Sequence, residues 1–202
     1  MIIRLFDICF SLLGIILLSP LYFIISLFIL VDSKGPVFYI QKRVGKDNHD
    51  FSLIKFRTMV TNADKKGLLT VGSSDARITR TGKFLRKYKL DELPQLFNVL
   101  AGDMSIVGPR PEVRKYVERY NPEQMVVLSV RPGITDYASI KYFDENELLK
   151  QAEDPEKTYI NEIMPEKIRI NLRYIDDYSV QSYFRIIFLT IGKITGIYSM
   201  VE

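Results

Sequence analysis

The sequence predicts an α+β domain, mainly helical, with one membrane-associated segment at its N-terminus. Three observations predict it. Residues 8–31 carry no charge, a run long enough to cross a bilayer once. Residues 37–41 and 51–57 read as two strands of a small hairpin around the polar turn Gly45-Lys46-Asp47-Asn48-His49. Further on, apolar residues recur at helical spacing, most clearly Leu93, Leu96, Phe97 and Leu100. The 202 residues suit one compact unit, divided into a membrane segment, 1–34, and a second part, 35–202.

Composition narrows the function classes. The net charge of +4 suits anionic lipids or phosphorylated substrates and is too small to indicate nucleic acid. Cys9 is the only cysteine, so no intrachain disulfide exists and a reducing compartment is the simplest assignment. The single histidine, His49, argues against a zinc site or a histidine-based triad. No Walker A loop and no GxGxxG occurs, which leaves kinase and Rossmann readings without support.

The N-terminal run does not read as a signal peptide, being too long and lacking a cleavage site. Ser19-Pro20 falls near its middle, and Pro20 lacks the N–H that would bond to residue 16. A kink or break is expected there. Each half would reach only about 16 Å, roughly half the hydrocarbon thickness. Arg4 precedes the run, and Lys34, Lys42 and Arg43 follow it, so both ends are basic. These features fit a bent spanning helix and also a hairpin that enters and leaves on one side.

Lys55 and Arg57, with Lys42 and Arg43, form an anion site or a set of cations at a membrane surface. Residues 60–76 read as a polar loop, and 83–87 as a short basic helix carrying Lys83, Arg86 and Lys87 up to Lys89. The stretch KLDELPQLFNVLAGDMSIVGPRP, residues 89–111, follows. Asp91 and Glu92 stand at the head of an expected helix whose buried face is Leu93, Leu96, Phe97 and Leu100, and Gly102 ends it. Gly108-Pro109-Arg110-Pro111 is a stiff turn bearing one fixed positive charge. On residues alone, the plainer reading comes first: Asp91 as an N-cap beside a solvated Glu92. Residues 112–120 are expected to be helical, and Asn121-Pro122 starts another helix. Residues 182–198 read as an amphipathic helix in the membrane interface.

As chemistry, a carboxylate at a helix N-terminus is kept ionised and can attack phosphorus. Adjacent carboxylates repel unless a cation lies between them, so Asp91 and Glu92 are expected to hold Mg2+, with Mn2+ as the alternative. Arg86, Arg110 and Arg131 can grip phosphate oxygens bidentately.

The block KLDELPQLFNVL, the element GDMSIVGPRP, the strand end KFRTM at residues 55–59 and RPGIT at 131–135 together resemble the bacterial sugar transferase family, small monotopic phosphoglycosyl transferases. The likeness runs from Arg4 to about Gly192. It implies transfer of a phosphosugar from a UDP-sugar to a membrane polyprenyl phosphate such as undecaprenyl phosphate, with UMP released. It also implies Asp91 as nucleophile through an aspartyl-phosphosugar intermediate, and Glu92 as its partner on metal or acceptor. Lys55, Arg57, Arg86, Pro109, Arg110, Pro111 and Arg131 would form the phosphate-binding set. The family's re-entrant helix-break-helix, with a Ser-Pro bend, is similar to residues 1–34 and implies a monotopic protein on the cytoplasmic face of the bacterial inner membrane. Partners would be the UDP-sugar, the polyprenyl phosphate and membrane lipids, with no nucleic acid. Rival readings are another membrane-bound Mg2+-dependent phosphotransferase, or an adaptor that binds anionic lipid. Two departures stand out. Asp136-Tyr137-Ala138-Ser139 replaces the common Gly-Trp-Ala-Gln, and Asn171 lies near where many members carry an acid. A long helical insert through Asn161 also sets the chain apart from the shortest members.

Overall fold

The computed structural model describes residues 2–63, 67, 69–72 and 75–196. Helix α1, Ile2–Asp32, leads into the antiparallel hairpin β1, Phe38–Val44, and β2, Asp50–Phe56. Next come α2, Arg80–Lys87, and α3, Gln95–Ala101. Strand β3, Ser105–Val107, is followed by two single-turn helices, α4, Arg114–Val117, and α5, Pro122–Met125. Strand β4, Gly133–Thr135, pairs in parallel with β3. The chain closes with α6, Tyr137–Lys141, α7, Glu145–Gln151, α8, Pro155–Thr158, a π-helical turn at Tyr159–Ile163, α9, Met164–Asp176, and α10, Val180–Thr195. The α+β class stands, with the hairpin where the alternation put it. Asn121 caps α5 through a capping box with Gln124, as its position before a proline led one to expect. The expected helix over 112–120 shrinks to the single turn α4, because Val113 and Tyr116 are drawn into the core around Tyr159 and Leu149. Part of the 60–76 loop, and positions 197–198 of the expected terminal helix, lie outside the described residues.

Helical geometry continues through Pro20 rather than breaking there. Proline leaves the Ile16 carbonyl without its usual donor, and the Ser19 hydroxyl supplies one at 2.8 Å. Helix α1 is long and apolar enough to cross a membrane, and little of it is buried. Leu13, Leu17, Phe23 and Phe28 are all exposed. Yet the helix is fastened to the rest of the chain along its length. At its start, Arg4 donates to the carbonyls of Val99 and Leu100, and buried Asp7 accepts from Ser105 Oγ, the Ile106 N–H and Tyr183 Oη. In the middle, Gly14 lets Leu96 approach so closely that an added Cβ would lie 3.0 Å from Leu96 Cδ1. Toward its end, Tyr22 Oη donates to the Leu93 carbonyl at 2.8 Å, and Asp32 accepts from the Thr81 N–H.

The apolar stripe of the 93–100 segment does not hold its most buried positions. Gln95, Asn98 and Val99 do, whereas Leu93, Leu96 and Phe97 turn toward α1, with Phe97 40% exposed. Asn98 can afford this burial because it pairs with backbone: its amide donates to the Ser52 carbonyl and its Oδ1 accepts from the Ile54 N–H. Apolar periodicity marked the face toward other apolar surface, here α1, whose buried Ile25 and Ile29 form a cluster with Phe56 and Leu85 that Leu93 packs against.

Candidate active site

Asp91 and Glu92 are not the first turn of an α-helix. They sit in a single 3-10 turn, Leu90–Glu92, and α3 begins only at Gln95. Lys89, in the left-handed region at φ 56°, makes the corner that delivers α2 into this turn. The expectation that a helix dipole holds Asp91 ionised is therefore replaced by a different environment. Asp91 is 7% exposed, and burial pushes its carboxyl above the ordinary range against the pull of Lys55. Its carboxylate accepts no hydrogen bond from the described residues.

Glu92 is the opposite case. Arg110 grips it with both guanidinium nitrogens, at 2.5 and 3.2 Å, and Lys55 Nζ donates to it at 2.8 Å. Burial alone would raise its pKa, but Arg110 and then Lys55 outweigh this and hold it well below the ordinary value. Two neighbouring acids are thus driven apart, one hydrogen-bonded by the described residues and one not.

The cations divide likewise. Arg86 is placed by Thr58 Oγ1 at 2.9 Å and Thr70 Oγ1 at 3.1 Å, within the field of Asp91. Lys89 lies 4.7 Å from the Phe143 ring centre, and burial lowers its pKa. Neither forms a salt bridge among the described residues. Arg57 also borders the site, but four of its N–H donors go to the carbonyls of Ser33, Lys34, Gly35 and Pro36, tying the end of α1 to β2. Arg131 is not brought to the acid pair. Its Nε donates to the Gly102 carbonyl, where it and Arg4 cover the end of α3. A C-terminal helix end attracts arginine as phosphate does, and the sequence does not separate the two.

The turn holding Arg110 owes its shape to β3 and β4. Gly133 passes so close to Gly108 that an added Cβ would lie 2.1 Å from the Gly108 nitrogen, which excludes any side chain there. Between Pro109 and Pro111, the Arg110 N–H donates to Asp136 Oδ2 at 2.8 Å. Asp136 is fully buried, caps α6 through the Ser139 N–H, and accepts from Asn171 Nδ2. The two departures noted in the sequence therefore touch one another. An acid at 171 would confront the Asp136 carboxylate, and Asn171 instead donates to it.

Asp91, Glu92, Arg86, Lys89, Lys55 and Arg110 line one cavity of about 950 Å³. Leu18 of α1 and Ile187, Ile191 and Ile194 of α10 are among its apolar lining residues. Another part is lined by Arg43, one of the cations grouped with Lys55 in the sequence, and by Glu112, Glu145, Tyr159 and Lys167, which carry no local sequence signal for it. Among the described residues no cluster of three metal-ligating side chains occurs.

The bacterial sugar transferase family matches residues 1–196. A UDP-N-acetylgalactosamine-undecaprenyl-phosphate N-acetylgalactosaminephosphotransferase of Aeromonas hydrophila is 40% identical over 191 residues, covering 93% of this chain and 42% of its own. UDP-glucose:undecaprenyl-phosphate glucose-1-phosphate transferases of Klebsiella pneumoniae and Escherichia coli K12 are 38% and 36% identical, covering 94% and 93% of this chain. The chain spans about two fifths of the length of these three relatives. With nearly all its residues matched, the chain belongs to the bacterial sugar transferase family.

Proposed function

We propose that the chain transfers a sugar 1-phosphate from a UDP-sugar to undecaprenyl phosphate, or a related polyprenyl phosphate, at the cytoplasmic face of the bacterial inner membrane. The observation that carries this is Asp91: a buried carboxylate that accepts no hydrogen bond from the described residues, among Lys55, Arg86 and Lys89, beside a Glu92 already locked by Arg110. In the first step an Asp91 oxygen attacks the β-phosphorus, and the bond from that phosphorus to the oxygen bridging the α-phosphate breaks. UMP leaves with the electron pair. In the second step an oxygen of the polyprenyl phosphate attacks the same phosphorus, the acyl-phosphate bond breaks, and the Asp91 carboxylate is restored. Arg86 and Lys89 take up phosphate charge, and Glu92 keeps the Arg110 guanidinium oriented toward the reacting phosphates.

Asp91 and Glu92, with the substrate's own phosphates, fit Mg2+ or Mn2+, since such ions need only one or two protein carboxylates. The Asp91 oxygens suit this, and Glu92 would join by yielding part of its hold on Lys55. The ion would neutralise charge on the diphosphate.

The apolar residues Leu18, Ile187, Ile191 and Ile194 beside this chemistry suit a polyprenyl chain. The attachments of α1 support a monotopic arrangement. At about 1.5 Å per residue its 31 residues extend roughly 46 Å if straight, more than the hydrocarbon thickness of about 30 Å. Were it to span, one of its two fastened ends would draw charged domain surface through the bilayer. Single cysteines at Ile2 and Ser33, in a variant lacking Cys9, are therefore expected to label from the same, cytoplasmic side. Labelling from opposite sides would establish a span.

The activity itself is tested by UMP release from a panel of UDP-sugars in the presence of undecaprenyl phosphate. Acceptor-dependent sugar phosphate transfer with at least one donor is expected. Its absence across the panel, with protein folded and membrane-bound, rejects the reading.

A further inference from the structure

We infer that the wall of the cavity made by Gln41, Arg43, Glu112, Glu145, Tyr159 and Lys167 is the subsite for the donor's sugar, and that it selects neutral sugars over acidic ones. The inference rests on the function proposed above and names its substrate class. The two polar regions of the cavity differ in how their charges are matched. Beside Asp91, Arg86 and Lys89 have no ion-pair partner among the described residues, which suits a diphosphate. In the other wall each cation has its own carboxylate: Arg43 to Glu112 at 3.1 Å and Lys167 to Glu145 at 2.6 Å. Such a wall has no surplus charge to draw an anion. It does offer acceptors and donors at short spacing, as sugar hydroxyls require.

Tyr159 joins the two pairs. Its hydroxyl donates to Glu112 Oε2, and Lys167 Nζ lies 5.7 Å from its ring centre. It stands at the start of a π-helical turn, a departure from regular helix that recurs at functional sites. Burial, then Glu112, pushes its hydroxyl well above the ordinary range, so it remains a donor at any physiological pH. Gln41 Oε1 accepts twice from Arg43, which turns its amide group into a fixed donor. The wall is also continuous with the reacting end. Glu145 acts electrostatically on Arg110, the residue that grips Glu92. An acidic sugar would set its carboxylate against Glu112 and Glu145, whose partners Arg43 and Lys167 are already engaged.

The test compares wild type with Tyr159→Phe and Lys167→Gln, in membranes, by donor KM and by competitive inhibition with UMP. Wild type should turn over UDP-glucose or a UDP-N-acetylhexosamine at a kcat/KM at least about tenfold above that for UDP-glucuronic acid. Each variant should raise the KM of the preferred donor about tenfold, the worth of one hydrogen bond to a charged group, while UMP inhibition stays within about twofold. Tyr159→Phe retains the ring and its packing, and Lys167→Gln reads the same wall should the former fold poorly. An unchanged donor KM overturns the assignment. So does an equal loss of UMP affinity, which would give the wall to the nucleotide, and so does efficient use of UDP-glucuronic acid. If wild type transfers no sugar phosphate from any UDP-sugar, the proposed function fails first and separately.

Discussion

Asp91→Asn is expected to lose turnover by about 10^4-fold or more while gaining stability at neutral pH. The loss follows because an amide cannot form the acyl phosphate. The gain follows from the sign of the linkage. The folded-state pKa of Asp91 lies above its ordinary 3.8, so the folded protein prefers the protonated form and bears a cost once Asp91 ionises. Asparagine carries no charge to bury. Its advantage should be present above the folded pKa of Asp91 and shrink as pH falls through it. Thermal melts of both proteins at neutral and acidic pH, alongside UMP release, check both halves. A variant that still turns over, or one that melts lower than wild type at neutral pH, contradicts this account of the site.

Glu92→Gln should behave in the opposite way on stability while also losing activity. Its folded-state pKa is depressed, so its contribution is present above the ordinary 4.5 and is lost only as pH falls through the folded value. Removing the charge leaves Lys55 and Arg110 in partly buried positions without their carboxylate. The cost should be about 2 to 4 kcal/mol, the lower end allowing for an Arg110 side chain that is 34% exposed. Arg110→Lys keeps the charge but loses the two-pronged grip, and kcat/KM should fall about tenfold to a hundredfold. Chemical denaturation with paired donor kinetics separates these effects. Near-wild-type stability of Glu92→Gln would mean that the Lys55–Glu92–Arg110 cluster does not organise the site.

The contrast between the two acids also shows where the sequence could be read and where it could not. Asp91, Glu92, Arg86 and Arg110 lie within one stretch of 25 residues, and local motifs were enough to bring them together. The hairpin and the apolar N-terminal run were legible for the same reason, since alternation and charge depletion are properties of neighbours in the chain. What decided the remaining roles was contact over long separations. Arg57 and Arg131 looked like phosphate ligands but serve carbonyls at the ends of α1 and α3. Asp7 is a buried acceptor joining α1 to β3 and α10, a role that no local pattern marks. The stripe through Leu93, Leu96 and Phe97 was correctly read as apolar, but periodicity does not say which apolar neighbour it meets. Asp136 and Asn171 were legible only as departures, and their direct contact is what gives those departures a shared structural reason.

The most direct test of the central claim is to trap the intermediate. The protein is incubated with a turned-over UDP-sugar in the absence of polyprenyl phosphate, quenched in acid and digested, and its peptides are weighed by mass spectrometry. The expected result is a phosphosugar adduct on the peptide containing Asp91, formed with one equivalent of UMP, discharged by added undecaprenyl phosphate, and absent from Asp91→Asn. UMP release that occurs only when the acceptor is present, with no adduct on any peptide, would instead mean direct transfer between the two substrates and contradict the assignment of Asp91 as nucleophile.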